Sequence, residues 1–205
     1  MSATNTNKNQ FSLRSILDKE KMNRTNFLYW QRNLQIVLMQ ELKEYVPDEE
    51  MHDAPNEEVT QAALNRWHAA NRDVKWFMFA TMSSDLQKTF FVKETTFKII
   101  KEQARTERFD THREILKSKL KKGEPISPNV LKIIGLFENM ERLDARCSNE
   151  MEIDIIHHSL HKDYDQLKMN NIMHNMEKTL IELHGMLKQA EKMLKDEGKY
   201  NMLMV

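Results

Sequence analysis

Between Lys117 and Leu143 the chain holds two of its four glycines and two of its four prolines. Helix-stopping and helix-starting residues are therefore packed into one short stretch. Lys121 and Lys122 precede Gly123, which suits a helix C-terminus: cations against the negative end of the dipole, then a residue free to take positive φ. Ser127 reads as an N-cap, and Pro128 suits the first helical position, where a missing N–H costs nothing. Val130, Ile133, Ile134, Phe137, Met140 and Leu143 then recur at steps of three and four, one stripe of an amphipathic helix. A helix ending at Gly123 and another starting at Ser127 form the best-marked helical hairpin in the chain, and the other segments read as helices packed around it.

The remaining turn residues are scarce, and sustained apolar–polar alternation is absent. Both features predict an all-α protein. A chain of 205 residues with 40% apolar content has room for one large domain or two small ones. Lys+Arg and Asp+Glu balance at 31 each, so no global field favours nucleic acid or an anionic membrane. The lone Cys147 excludes an intramolecular disulfide and a cysteine-rich zinc knuckle within this chain. No apolar run reaches membrane-spanning length, and Met1–Gln10 lacks the apolar centre of a signal peptide. A cytoplasmic location without a membrane partner is expected, with residues 1–10 as a disordered tail.

In chain order, Thr25 caps a helix bearing Phe27, Trp30, Leu34, Val37, Leu38 and Leu42, ending near Val46-Pro47. Asn56 caps a second, with Ala63, Trp67, Ala70, Val74, Phe77 and Met78 inward. A short helix follows Ser83-Ser84-Asp85. A charged helix spans 103–120, with Ala104, Phe109, Ile115, Leu116 and Leu120 inward. Beyond the hairpin, helices are marked by Met151, Ile155, Ile156 and Leu160, by Tyr164, Leu167 and Met169, and by Leu180, Leu183, Leu187, Ala190 and Leu194. Residues 197–205 read as a frayed tail.

Catalytic signatures are missing: no glycine-rich phosphate loop, no Gly-x-Ser-x-Gly and no aspartic-protease triplet. A non-enzymatic protein with no cofactor and no small-molecule substrate is expected. His157 and His161 have metal-ligand spacing on one helix face, but no third ligand is apparent, so they read as structural histidines. Trp30 and Trp67 fall on apolar stripes and read as core, whereas Trp76 and Phe79 lie off them. Arg105, Arg108, Arg113, Lys117, Lys119, Lys121 and Lys122 form the one candidate nucleic-acid face.

Motifs spread over about residues 11–195 resemble the Gag capsid-type region of copia-type LTR retrotransposons, especially those of plants. Met22-Asn23-Arg24-Thr25-Asn26-Phe27-x-x-Trp30 is similar to the family's opening Leu-x-Gly-x-Asn-Tyr/Phe-x-x-Trp. Trp67 with Asp73, Met82-Ser83-Ser84-Asp85-Leu86-Gln87 and Gln103-Ala104-Arg105-Thr106-Glu107-Arg108-Phe109 follow. Leu116–Leu120, the hairpin at 123–143, Leu160-x-x-x-Tyr164 and Thr179-Leu180-x-Glu182-Leu183 complete the series. The resemblance implies about eight helices in two retroviral-capsid-like lobes, 11–104 and 105–196. It also implies self-association into virus-like particles that enclose element RNA. Tyr29, Trp76 and Phe79 are then the candidate assembly residues, as aromatics on exposed helix sides. Arg24 stands where the family has glycine, His161 where it has proline, and 90–102 is shorter than the family segment. These departures define an alternative: a degenerate or host-retained Gag remnant acting as a helical nucleic-acid- or protein-binding module.

Overall fold

The computed structural model describes residues 15–50, 60–173 and 178–203. The expected tail at 1–10 and the cap at Asn56 lie outside the described residues. Among those described there is no strand, and ten α-helices occur, eight of them of seven residues or more. They are α1 (Ser15–Asp18), α2 (Phe27–Gln40), α3 (Tyr45–Asp48), α4 (Gln61–Ala80), α5 (Ser84–Phe90), α6 (Thr96–Lys117), α7 (Ile126–Arg142), α8 (Asn149–Ser159), α9 (Asp165–Met173) and α10 (Leu180–Leu203). The chain is an all-α helical bundle. It divides into two compact units, Met1–Arg105 and Thr106–Val205, with the division inside α6.

In unit 1, α2 buries Phe27, Trp30, Leu34, Val37 and Leu38, and α4 buries Leu64, Trp67, Ala70, Val74 and Met78. Both sets follow the helical period. The turn before α2 is closed by asparagines. The Asn23 Oδ1 accepts from the Thr25 N–H and hydroxyl, each at 2.8 Å. The N-cap is therefore Asn26 rather than Thr25, whose hydroxyl is already engaged. α2 stops at Gln40, short of Val46-Pro47, because Leu42 turns left-handed (φ 56°) and the Lys43 N–H donates back to the Leu38 carbonyl at 2.9 Å. That 6→1 closure is a Schellman motif without its usual glycine. Pro47 is accommodated in the first turn of α3, where amide N–H groups have no intrahelical partner. α4 begins after Thr60, whose hydroxyl accepts from the Ala63 N–H at 3.2 Å.

Polar pins join these helices. Met22 pairs with the end of α4, its N–H donating to Thr81 O (2.7 Å) and its carbonyl accepting from Ser83 N–H (2.8 Å). The buried Trp30 Nε1–H donates to Thr81 Oγ1 at 3.1 Å. The Asn71 Oδ1 on α4 accepts from the Thr96 N–H and hydroxyl, each at 3.0 Å, while its Nδ2 donates to Glu94 O. Buried polar groups left unpaired would cost free energy, so these bonds determine where α6 can begin.

The charged helix expected at 103–120 begins earlier, as part of one helix of 22 residues, α6. Its inward face continues the phase set by Ile99 and Ile100 through Gln103, Thr111 and Ile115, and Ser118 just beyond its end is buried in the same phase. Phe109 and Leu116, expected inward, are 67% and 57% exposed. α6 also ends at Lys117, before Gly123. Leu120 leaves the helix to enter the core of unit 2, and its N–H donates to Ser159 O at 2.8 Å. Gly123 instead supplies positive φ (82°) to a turn closed by the Glu124 N–H on Lys121 O.

Unit 2 is built on α7. Ile126, Val130, Ile133, Phe137 and Met140 pack with Ile115, Leu120, Ile156, Leu160, Tyr164, Leu183 and Leu187. α7 starts two residues early, with Pro125 as N-cap and Ile126 as the first helical residue, so Ser127 and Pro128 lie inside the first turn. Ser127 is not the cap because Glu191 reaches across from α10 and accepts from the Ile126 N–H at 3.3 Å. The Ser127 hydroxyl lies 2.9 Å from His184 Nε2. At its other end α7 closes as α2 does, with Asp144 at φ 55° and the Ala145 N–H on Met140 O. Thr179 and Glu182 form a reciprocal capping box at the start of α10, and α10 continues to Leu203, where a frayed tail was expected.

Candidate interaction surfaces

Three of the seven cations singled out from the sequence, Arg108, Arg113 and Lys119, are engaged by groups of unit 2 itself. Arg108 donates from Nη1 to Leu143 O at 2.9 Å, capping the C-terminus of α7. Lys119 Nζ donates to His158 O at 3.0 Å and serves α8 in the same way. Both therefore complement helix dipoles. Arg113 pairs with Asp110 at 2.7 Å, and its guanidinium lies over the Phe109 ring. Lys117, Lys121 and Lys122 remain exposed.

The aromatic candidates divide in the same way. Trp76 is 59% exposed on α4, but Phe79 is only 6% exposed. Phe79 therefore offers no exposed face. It lies beneath Trp76, edge-on at 6.0 Å, and is stacked with Phe91 at 6.4 Å. Phe91 and the adjacent Val92 are the outer residues of this patch. Sequence periodicity missed them because they occupy the α5–α6 loop, where no helical phase applies. Tyr29 is exposed on α2 with the Arg32 guanidinium 5.5 Å from its ring centre. Trp30 and Trp67 are buried, in keeping with their stripes.

The two histidines of metal-ligand spacing do not share a helix face, because α8 ends at Ser159. His157 is buried, with Nε2 at 3.2 Å from Asn171 Nδ2 on α9. Lys178 donates to Asn171 Oδ1 at 2.5 Å, which orients the amide NH2 toward the imidazole. His157 Nε2 must then accept, and the ring is neutral in this arrangement. Burial pushes its pKa below the usual 6.5. His161 instead begins the 3-10 turn 162–164, its Nδ1 accepting from the Asp163 N–H. No group of three or more His, Cys, Asp or Glu is placed to hold a metal among the described residues, nor is any described helix long and apolar enough to cross a membrane.

The outer faces of α6 and α8 in unit 2 carry contrasting charge. α6 exposes Phe109, His112, Arg113, Leu116 and Lys117. α8 exposes Glu150, Met151, Asp154 and His158, with Ile155 half-buried beside them. Glu152, on the inner side of α8, is buried, and burial raises its carboxyl pKa. No protein-family model, curated protein or solved structure matches this chain.

Proposed function

We propose that this protein is a non-enzymatic, retrotransposon Gag capsid-like structural protein that self-associates in the cytoplasm into particles enclosing element RNA. The observation that carries the reading is apolar exposure on well-packed helices. Trp76, Phe109, Leu116 and Met151 are exposed on helices whose opposite faces are buried, with an apolar stripe on α4 and a mixed polar and apolar face on α6 and α8. Large apolar side chains held outward on ordered elements favour contacts with another surface. The all-α architecture, its two compact units and the ordered motif series from residue 11 to 195 support the same reading. Contacts between copies would also add to the stability of two units with small cores.

Light scattering and negative-stain microscopy across protein concentration and salt test this directly. Concentration-dependent particles tens of nanometres across are expected, on the order of many copies per particle. A helical monomer at every concentration would sink the proposal and leave the remnant-module alternative.

A further inference from the structure

The outer faces of α6 and α8 match each other in antiparallel register. When the two helices are laid antiparallel with Lys117 opposite Glu150, the remaining outer residues pair without adjustment. Leu116 falls opposite Met151, Arg113 opposite Asp154, His112 opposite Ile155 and Phe109 opposite His158. Two cation–carboxylate pairs are thus interspersed with an apolar pair, the His112–Ile155 pair and an aromatic–imidazole pair. Ile155 alone of these ten residues packs partly against the unit 2 core, and the others turn away from it: Thr111 and Ile115 are buried on α6, and Glu152, Ile156, His157 and Ser159 on α8.

The charges are also only partly engaged within the unit. Lys117, Glu150 and Asp154 make no ion pair among the described residues, and Arg113 is held by the exposed Asp110 contact and lies over the Phe109 ring. The nearby Glu114 is already taken by Lys132. Opposite charges arranged around apolar residues suppress wrong registers and favour this one.

We infer that the outer face of α6 in one copy docks antiparallel on the outer face of α8 in a second copy. This rests on the self-association reading above and names the contact that would produce it. The two surfaces differ, so the contact is heterologous. A copy that has used one face still presents the other, and the interaction propagates into a ring or an array.

A charge-swap experiment on the full chain tests the inference. Arg113→Glu with Lys117→Glu makes both faces acidic; Glu150→Lys with Asp154→Lys makes both basic. All four side chains are exposed, and far-UV circular dichroism checks that each variant is folded. Each variant alone should need at least about tenfold more protein for half-assembly than the unmodified chain, because like charges then face each other. An equimolar mixture should assemble again as an alternating copolymer, since each face of one variant complements the opposite face of the other. If the unmodified chain assembles and either variant assembles as well as it does, this contact is wrong and the self-association reading stands. Two inactive variants that fail to rescue each other would also overturn it. If the unmodified chain stays monomeric throughout, the self-association reading falls and takes the contact with it.

Discussion

Unit 1 and unit 2 are of similar length and are both helical, but they hold their helices by different means. Unit 1 relies on large buried aromatics and on side chains that bond across elements in its interior: Trp30 to Thr81, and Asn71 to Thr96 and Glu94. Unit 2 relies on an aliphatic core around α7 and on charged side chains that cap helix ends from elsewhere. Arg108 caps α7, Lys119 caps α8, and Glu191 receives the first N–H of α7. Interior pins are rigid and intolerant of deletion, because removing one partner buries the other unpaired. Helix-end caps lie nearer solvent, so water can replace a lost one and the loss is smaller. The two units should therefore differ in how steeply single substitutions act.

All three tryptophans, Trp30, Trp67 and Trp76, are in unit 1. Tryptophan fluorescence thus follows unit 1 alone during denaturation, while far-UV circular dichroism follows both. Trp30→Ala should cost unit 1 about 4 kcal/mol, read from the fluorescence of the other two tryptophans. Phe137→Ala should take a similar amount from unit 2 and shift the dichroism while leaving the fluorescence transition in place. A fluorescence transition that moved with Phe137→Ala would mean that α6 couples the units, and the comparison would have to be redrawn.

Asn71→Ala removes the acceptor of the Thr96 N–H, leaving the hydroxyl to the Val46 carbonyl, and should cost about 2 kcal/mol, again in the fluorescence transition. Arg108→Gln, its counterpart among the caps, should cost unit 2 about 1 kcal/mol. Equal losses at the two sites would refute the contrast between pins and caps.

The next effect depends on pH. The folded His157 has a pKa below the unfolded 6.5, so the unfolded chain binds its proton more readily. Unit 2 should keep the full contribution of neutral His157 above pH 6.5 and lose it progressively as the pH falls toward the folded pKa. Protonation would also place an N–H against the Asn171 NH2 group that now donates to it. The denaturation midpoint of His157→Gln, followed by dichroism, should fall less on acidification than that of the unmodified chain. Parallel falls in the two proteins would remove His157 from the account.

The smallest effects come from the shared Schellman closures. Leu42→Gly should stabilise unit 1 by about 0.5 kcal/mol, because a leucine at φ 56° is strained and this one is exposed. Asp144→Gly should gain less in unit 2, since aspartate tolerates left-handed backbone better than leucine does. The reverse order, measured by denaturant midpoints, would show that local strain does not govern these helix ends.

Helical class, the hairpin around Gly123 and most core stripes were legible in the sequence, because a helix buries one periodic face wherever it packs. The stripes from Val130 to Leu143 and Leu180 to Leu194 are buried or half-buried as their spacing requires, and the stripe from Phe27 is buried through Leu38 but not at Leu42, which is exposed beyond the end of α2. The candidate surfaces were less legible. A helix begun at 103 loses the phase set by Ile99 and Ile100, which is why Phe109 and Leu116 were expected inward. Polar Gln103, Thr111 and Ser118 occupy the inner face instead, which composition alone disfavours but a continuous helix imposes. Phe79 was displaced the other way, covered by Trp76 and Phe91 from a loop. The cations at Arg108 and Lys119 looked like ligands for an anion and proved to serve carbonyls 35 and 39 residues away. Periodicity is a local property carried by the chain itself. The partner of a charge, the residue that covers a ring and the position where a helix stops depend on groups distant in sequence, so only the folded arrangement could decide them.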